Sequence, residues 1–436
     1  MSEAATSLGF HREAFDAFMR SRDEPGWLRD QRAEAWRQFE SLPWPSQRDE
    51  EWMRTDIRMF HLDMFGLPLE GNASSAAPEG LLTHGVALGG HATSLDSRAH
   101  SAAISDKWAG QGVLFGSLDE LIAEHGALVK EHLFRAVDPH QDKFAALHAA
   151  TWSGGTLLYV PRGVVIDEPL HMLSALSAGA TDLGHTLVIL EDGADATLLA
   201  ETTSLTPGSA GLHCGAIELL VGPRARLRYV NLQNWATGVW HFAHQKARVE
   251  AGGALQWTIA ALGSRLAKVN QHVALAGADA TAQVNGVMFT EGKQHLSYHT
   301  LQHHEAPACR SDLLYKIALQ DRSRTVWRGM IKVDPAAQRT DGYQRADNLM
   351  LSDQARSDSI PGLEILADDV RCTHGSTTGR VDDEQIFYAR CRGLTRNEAV
   401  RMVVAGFFQQ VFDRITIESV REALGEAIGR RIREYD

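Results

Sequence analysis

The sequence predicts a mainly β protein: a β-helix-like solenoid core of stacked strands, flanked by α-helical regions at both ends. Three observations predict it. From about residue 155, short runs rich in Val, Ile, Leu and Thr alternate with glycine-centred turns, as in LVILEDGADATLL, IELLVGPRARLRYV, ARVEAGGALQWTI and VALAGADATAQV. The turn glycines are Gly163, Gly193, Gly222, Gly252 and Gly277, a recurrence of roughly 25–30 residues that lies in the solenoid range. Ala196, Ala225 and Ala280 each follow their turn glycine by three positions, where a small side chain would fit a narrow corner between stacked sheets. An antiparallel sandwich is the alternative; its turns would come about every 8–12 residues, and a two-strand multiple of that period could imitate the repeat.

Three regions follow. Residues 1–150 form an N-terminal helical and mixed α/β region. Phe10, Ala14 and Phe18 stand at helical spacing, as do Leu28, Ala35, Trp36 and Phe39, with Pro25-Gly26 and Pro43-Trp44-Pro45 as punctuation. Gly71–Ser75 reads as a loop, and Ser117–Leu133 as one or two helices. Residues 151–392 form the β-helix core. Its open edges need a cap or a partner, because unpaired backbone groups recruit other strands. Residues 393–436 are helical again. Thr395 and Glu398 form a T-x-x-E capping box, and Val400, Val403, Val404, Phe407, Phe408, Val411, Phe412 and Ile415 follow at helical spacing. A second helix is expected from about Glu418 to Ile432. Two helices cover little of so wide an apolar stripe, which leaves a partner surface as a reading beside simple docking on the chain itself.

The chain has 436 residues, enough for two or three domains, and a hydrophobic fraction of 44% against 22% charged, as in a soluble globular protein. A net charge of −12 argues against a general nucleic-acid binder. No apolar run approaches the ~20 residues that span a bilayer, and the start MSEAATSLGFHREAF has no basic segment followed by an apolar one. A cytoplasmic location is therefore expected. The four cysteines, Cys214, Cys309, Cys372 and Cys391, are scattered without a CxxC, which suits free thiols or ligands in a reducing compartment.

The common catalytic motifs do not appear. Gly286–Gln294 resembles a P-loop, but five residues separate its glycines and Gln follows the Lys, so no nucleotide is expected to bind there. His304-Glu305 begins like a zincin, with Ala308 in the second histidine position. No GxSxG elbow is present. His295, His299, His303 and His304 with Cys309 would suit a metal site on a helix, but the surroundings are strand-like, Pro307 interrupts, and in a strand the histidines stand too far apart for one ion; structural or surface roles are expected.

Cys372 and His374 carry the candidate chemistry. In an extended strand, residues i and i+2 leave the same face, with Cβ atoms roughly 6.5–7 Å apart. A thiolate and an imidazole together suit zinc, copper or an iron–sulfur centre. Two ligands do not complete a tetrahedral site, so the remainder must come from elsewhere in the fold or from another subunit. The bland reading is a buried small hydrophobe beside a hydrogen-bonded imidazole.

The surrounding segments decide between these. Asn348–Ser352, Ser359–Ile365, Asp368–Gly375, Phe387-Tyr388, Arg392–Leu394 and Gly406-Phe407 resemble the SufD family, a subunit of the SUF iron–sulfur cluster assembly scaffold. Glu51–Asp56 resembles that family's N-terminal E-x-W-R-x-T pattern, with Met53 inserted. The paralogue SufB typically has His-Glu where this chain has His374-Gly375, and a cysteine after Phe-Tyr where it has Ala389; Cys391 is not the equivalent. The resemblance implies a non-catalytic scaffold that pairs with SufB through its β-helix and binds the SufC ATPase through its C-terminal helices. It also implies that Cys372 and His374 contribute to a transient iron–sulfur cluster shared with SufB at the subunit interface. Val403, Phe407, Phe408 and Val411 are the expected partner-binding residues of the tail. A rival class is a carbohydrate-active β-helix enzyme, with Arg339, Asp341, Arg345 and Asp347 on an exposed sheet. A metal-free homodimeric binding protein is a third reading, and a homodimer in isolation is compatible with SufD as well.

Overall fold

The computed structural model describes residues 9–68, 80–83 and 85–432; the loop expected at Gly71–Ser75 lies outside them. Helices α1 (Arg12–Arg20) and α2 (Gly26–Ser41) open the chain. Pro25 precedes α2, where its missing N–H costs nothing. Next come strands β1 (Gly90–Leu95) and β2 (Arg98–Ile104), helix α3 (Asp106–Ala109), β3 (Leu114–Ser117), α4 (Leu118–His132) and α5 (Lys143–Thr151). Helix α4 is bent at His125, so the expectation of one or two helices describes a single kinked one. Helix α5 reads KFAALHAAT and is buried on every side, which erases the amphipathic period that would have announced it.

The solenoid strands follow: β4 (Gly154–Val160), β5 (Leu170–Leu176), β6 (Thr181–Asp182), β7 (Gly184–Leu190), β8 (Asp195–Ser204), β9 (Ala210–Val221), β10 (Arg226–Asn234), β11 (Gly238–Val249) and β12 (Ala254–Ala261). They continue with β13 (Leu266–Leu275), β14 (Thr281–Thr290), β15 (His295–His304), β16 (Arg310–Leu319), β17 (Arg324–Val333), β18 (Thr340–Met350), β19 (Arg356–Ile365) and β20 (Val370–Arg380). The chain ends in α6 (Asp383–Cys391), α7 (Arg396–Phe412) and α8 (Glu418–Gly429). The helical tail thus begins at Asp383, within the stretch the sequence assigned to the core. Helix α6 buries only Ile386 and Ala389, too little of a stripe to be read from periodicity.

Successive strands alternate between two stacked sheets and complete about eight turns of a solenoid. The first sheet runs β2-β1-β5-β8-β10-β12-β14-β16-β18-β20, the second β19-β17-β15-β13-β11-β9-β7-β4-β3. Antiparallel strands β2 and β3 close the N-terminal end, and the coil stops at β19 and β20, whose residues are mostly half-buried or exposed. Between the sheets, Leu198, Leu227, Tyr229, Trp257, Leu296, Tyr298, Tyr315 and Trp327 fill the interior. Ala196, Ala225 and Ala280 are wholly buried at its corners.

The turn glycines serve two different needs. Gly163, Gly193 and Gly252 have positive φ, which glycine adopts without a Cβ penalty. Gly222 and Gly277 do not; Arg224 and Asp279 take the left-handed position in those turns. There the need is closeness: a Cβ on Gly277 would lie 2.0 Å from the backbone nitrogen of Ala251 in the preceding coil.

The flanking regions cover the outer faces. The N-terminal region lays Phe15, Trp36, Phe39, Trp52, Phe60 and Phe144 against Trp240 and Phe242 of the second sheet. Helices α7 and α8 cover Val230, Leu232, Val287, Phe289 and Leu314 of the first. Two buried carboxylates pin crossing loops and are themselves satisfied, as burial of charge requires. Glu218 accepts the N–H groups of Phe134 and Ala136 at 2.6 Å and of Val137 at 3.0 Å. Glu201 accepts those of Leu81 and Leu82, both at 2.6 Å.

Candidate cluster site and docking helices

Strand β20 pairs on one side with β18, and its other edge has no partner strand among the described residues. Cys372 lies opposite Gly342 and His374 opposite Gln344. Both side chains leave the interior-facing side of the strand, as the i, i+2 spacing requires. Cys372 is half-buried against the small cluster of Ile331, Val333, Ala337 and Ala367. A Cβ on Gly342 would come within 3.3 Å of its Sγ, so glycine there gives the thiol its room. His374 is exposed at the open end of the solenoid. Burial and the nearby Asp341 carboxylate push the Cys372 thiol above its ordinary pKa. At neutral pH it carries its proton, and ligating a metal would require releasing it.

Among the described residues no group of three or more His, Cys, Asp or Glu side chains is placed to hold a metal ion. The histidine run of β15 is dispersed accordingly. His299 is bound to Glu51 at 2.5 Å, His303 stands 3.1 Å from Asp334, and His304 turns into the interior onto Ser311 at 2.8 Å. The four cysteines are free; Cys214 and Cys309 are buried, and Cys391 is exposed on α6.

Thr395 caps α7 through the complete capping box with Glu398. Four tail residues were expected to meet a partner. Phe408 and Val411 are wholly buried against the first sheet, where they hold the helix in place and offer no exposed surface. Val403 and Phe407 are half-buried at the margin of that contact. The reason is the width of the apolar stripe: its centre packs on the solenoid, and only its border is left. Outward-facing instead are Phe387 at 69%, Tyr388 at 62% and Met402 at 53% exposed, on α6 and α7. They lie off the periodic stripe, and Phe387-Tyr388 stood among the segments of the resemblance.

The residues of the carbohydrate-enzyme reading do not form one site. Asp341 borders an open groove of about 550 Å³ with Arg226, Arg310 and Tyr343, whereas Asp347 is buried and committed to Lys316, Arg345 and Thr377. No described helix is long and apolar enough to cross a membrane.

The fold and site define a class: a two-sheet parallel β-solenoid with one closed end, one open end carrying Cys372 and His374, and helices docked along its flank. The chain belongs to the SufBD family. Residues 173–407 match the SUF system FeS cluster assembly SufBD core domain, and residues 15–172 match the SufBD protein N-terminal region. It is 25% identical over 410 residues to an iron-sulfur cluster assembly SufBD family protein of Staphylococcus saprophyticus, covering 91% of this chain and 88% of that one. It is also 25% identical over 426 residues to the iron-sulfur cluster assembly protein SufB of Bacillus subtilis, covering 94% and 90%. A SufBD family protein of Staphylococcus epidermidis is 28% identical over 309 residues, 71% of this chain and 66% of that one. Its role accordingly lies in SUF iron–sulfur cluster assembly, in a family of scaffold components.

Proposed function

We propose that this chain is the SufD-type, non-catalytic subunit of a cytoplasmic SUF scaffold. Its open solenoid end joins a SufB subunit, α6 and α7 dock a SufC ATPase, and Cys372 and His374 contribute ligands to a nascent cluster at the SufB junction. The observation that carries this reading is the placement of Cys372 and His374 on the unpartnered edge strand without a third ligand among the described residues. A tetrahedral iron or zinc environment needs more donors than this chain brings together, so a second chain must supply them.

Three further features support it. Leu363, Ile365 and Leu366 are exposed beside the open edge at 37%, 38% and 55%, an apolar border suited to a strand-paired interface. Gly375 and Ala389 stand where SufB is expected to carry Glu and Cys; Ala389 is buried while Cys391 points outward, so the two positions are not interchangeable. Phe387, Tyr388 and Met402 supply an outward apolar and aromatic surface, the composition of interface cores. Native mass of the chain coexpressed with SufB and SufC tests the assembly; recovery of this chain alone, or only as a homodimer, would refute it. Iron and acid-labile sulfide in the anaerobic complex, with and without His374→Ala, test the site.

A further inference from the structure

The outer face of the first sheet carries a straight row of side chains that links α7 to the edge strand. Lys316 on β16, Asp347 on β18 and Thr377 on β20 are direct register partners. At one end, the Lys316 ammonium lies 4.8 Å from the ring centroid of Phe407 on α7, within cation–π range. It binds Asp347 Oδ2 at 2.7 Å, with both side chains nearly inaccessible to water. The other oxygen of Asp347 accepts from Thr377 Oγ1 at 2.6 Å and from Arg345 Nε at 2.9 Å. Burial would raise the carboxyl's pKa, but these three donors outweigh it and hold it below the ordinary range.

The neighbouring residue grips the same point from inside. Asn348 donates to the Thr377 carbonyl at 2.9 Å and to Ser359 Oγ at 3.0 Å, and accepts from Ser357 Oγ at 2.7 Å. Thr377 is therefore clamped by its side chain outside and its backbone inside, three residues from His374. The covalent path from β20 to the helices leaves only after Arg380. Desolvated, hydrogen-bonded ion pairs tolerate little displacement without loss, so the row can act as a rigid link.

We infer that Asp347 is a positioning residue that couples helix α7, through Lys316 and Phe407, to the strand presenting Cys372 and His374. This rests on the docking and cluster reading above and assigns it a route: a partner that shifts Phe407 moves the edge strand.

Hydrogen–deuterium exchange resolved to β20 tests it in two arms. In the isolated chain, Phe407→Ala is expected to speed exchange in Val370–Arg380 about tenfold while β10 to β14 stay unchanged, with Phe407→Tyr restoring the slow rate. Thr377→Val, at the far exposed end of the row, is expected to free β20 without loosening α7. Unchanged β20 exchange in Phe407→Ala overturns the coupling. In the second arm SufC is added. Binding is expected to alter β20 exchange in the wild type but not in Asp347→Asn, with binding itself retained; an equal response in both overturns the coupling. Failure of SufC to bind the wild type refutes the docking reading alone, because the first arm still decides the coupling.

Discussion

The carboxylate of Glu51 lies 2.5 Å from Nδ1 of His299, although 248 residues separate them in the chain. Its other oxygen accepts from Arg328 at 3.0 Å, and Lys268 stands 3.7 Å away. Trp52, the next residue, stacks on Phe144, and Thr55 donates to Ser297 Oγ at 2.9 Å. One short N-terminal motif thereby fastens the N-terminal region to the outer face of the second sheet. Glu51 is partly exposed, so Glu51→Ala is expected to cost only about 1 kcal/mol. Trp52→Ala removes a buried ring and is expected to cost about 3–5 kcal/mol. Limited proteolysis should show cleavage within residues 42–68 in both, with the solenoid intact; equal effects of the two variants on stability would contradict this division.

Stability should fall in two acid steps. Burial holds His272 at about 3 and His295 and His304 at about 4, against an ordinary 6.5. These groups take up protons more readily when unfolded, so their contribution is complete above pH 6.5 and declines as pH drops through 4 toward 3. Asp142 behaves in the opposite chemical sense. Burial opposes its ionisation, but His244 and the Ala145 N–H outweigh that and hold its carboxyl at about 2, against 3.8. Its contribution, about 2 kcal/mol, is present above pH 3.8 and lost toward pH 2. Denaturant titrations across pH 2–8 check this. His304→Asn should reduce the upper step, which His272 and His295 still supply in part, and leave the lower one.

The tail separates support from contact. Phe408→Ala should destabilise by about 3–5 kcal/mol, as for other buried aromatic truncations. Phe387→Ser should leave the melting transition nearly unchanged, because the ring is already in water, and weaken SufC binding about tenfold or more. Calorimetric binding and thermal melts of the two variants distinguish the roles; normal SufC binding by Phe387→Ser would move the docking surface elsewhere.

Cys372→Ser and His374→Ala should fold with stability within about 0.5 kcal/mol of the parent, since neither side chain is central to a core. Both should lower the iron and sulfide held by the assembled complex. Because the Cys372 thiol must lose a proton to become a ligand, iron retention should rise with pH between 6 and 8. Anaerobic metal analysis over that range checks it, and a flat profile in the parent would remove Cys372 as a ligand.

Much of this arrangement was legible in the chain. A corner must recur wherever a strand pair repeats, so the spacing of glycines and small alanines announced the solenoid. The i, i+2 spacing placed Cys372 and His374 on one face, because strand geometry is local. The capping box of α7 and the period of its stripe are likewise local. Other features were silent. Helix α5 is buried all round and has no period; α6 is exposed and has almost none. The sequence places Val403, Phe407, Phe408 and Val411 on one apolar stripe; that the centre of the stripe packs on the solenoid while Phe387, Tyr388 and Met402 stand off it in solvent has no local signal.

By itself, then, the sequence determined the repeat, the strand faces and the helix boundaries at caps, since each depends on neighbours a few residues away. Which face of α7 is covered, that one edge of β20 meets no strand among the described residues, and that Lys316, Asp347 and Thr377 stand in one row were decided only by the tertiary structure. Those depend on how the coils stack, which brings together residues about 30 positions apart with no local signal to mark them.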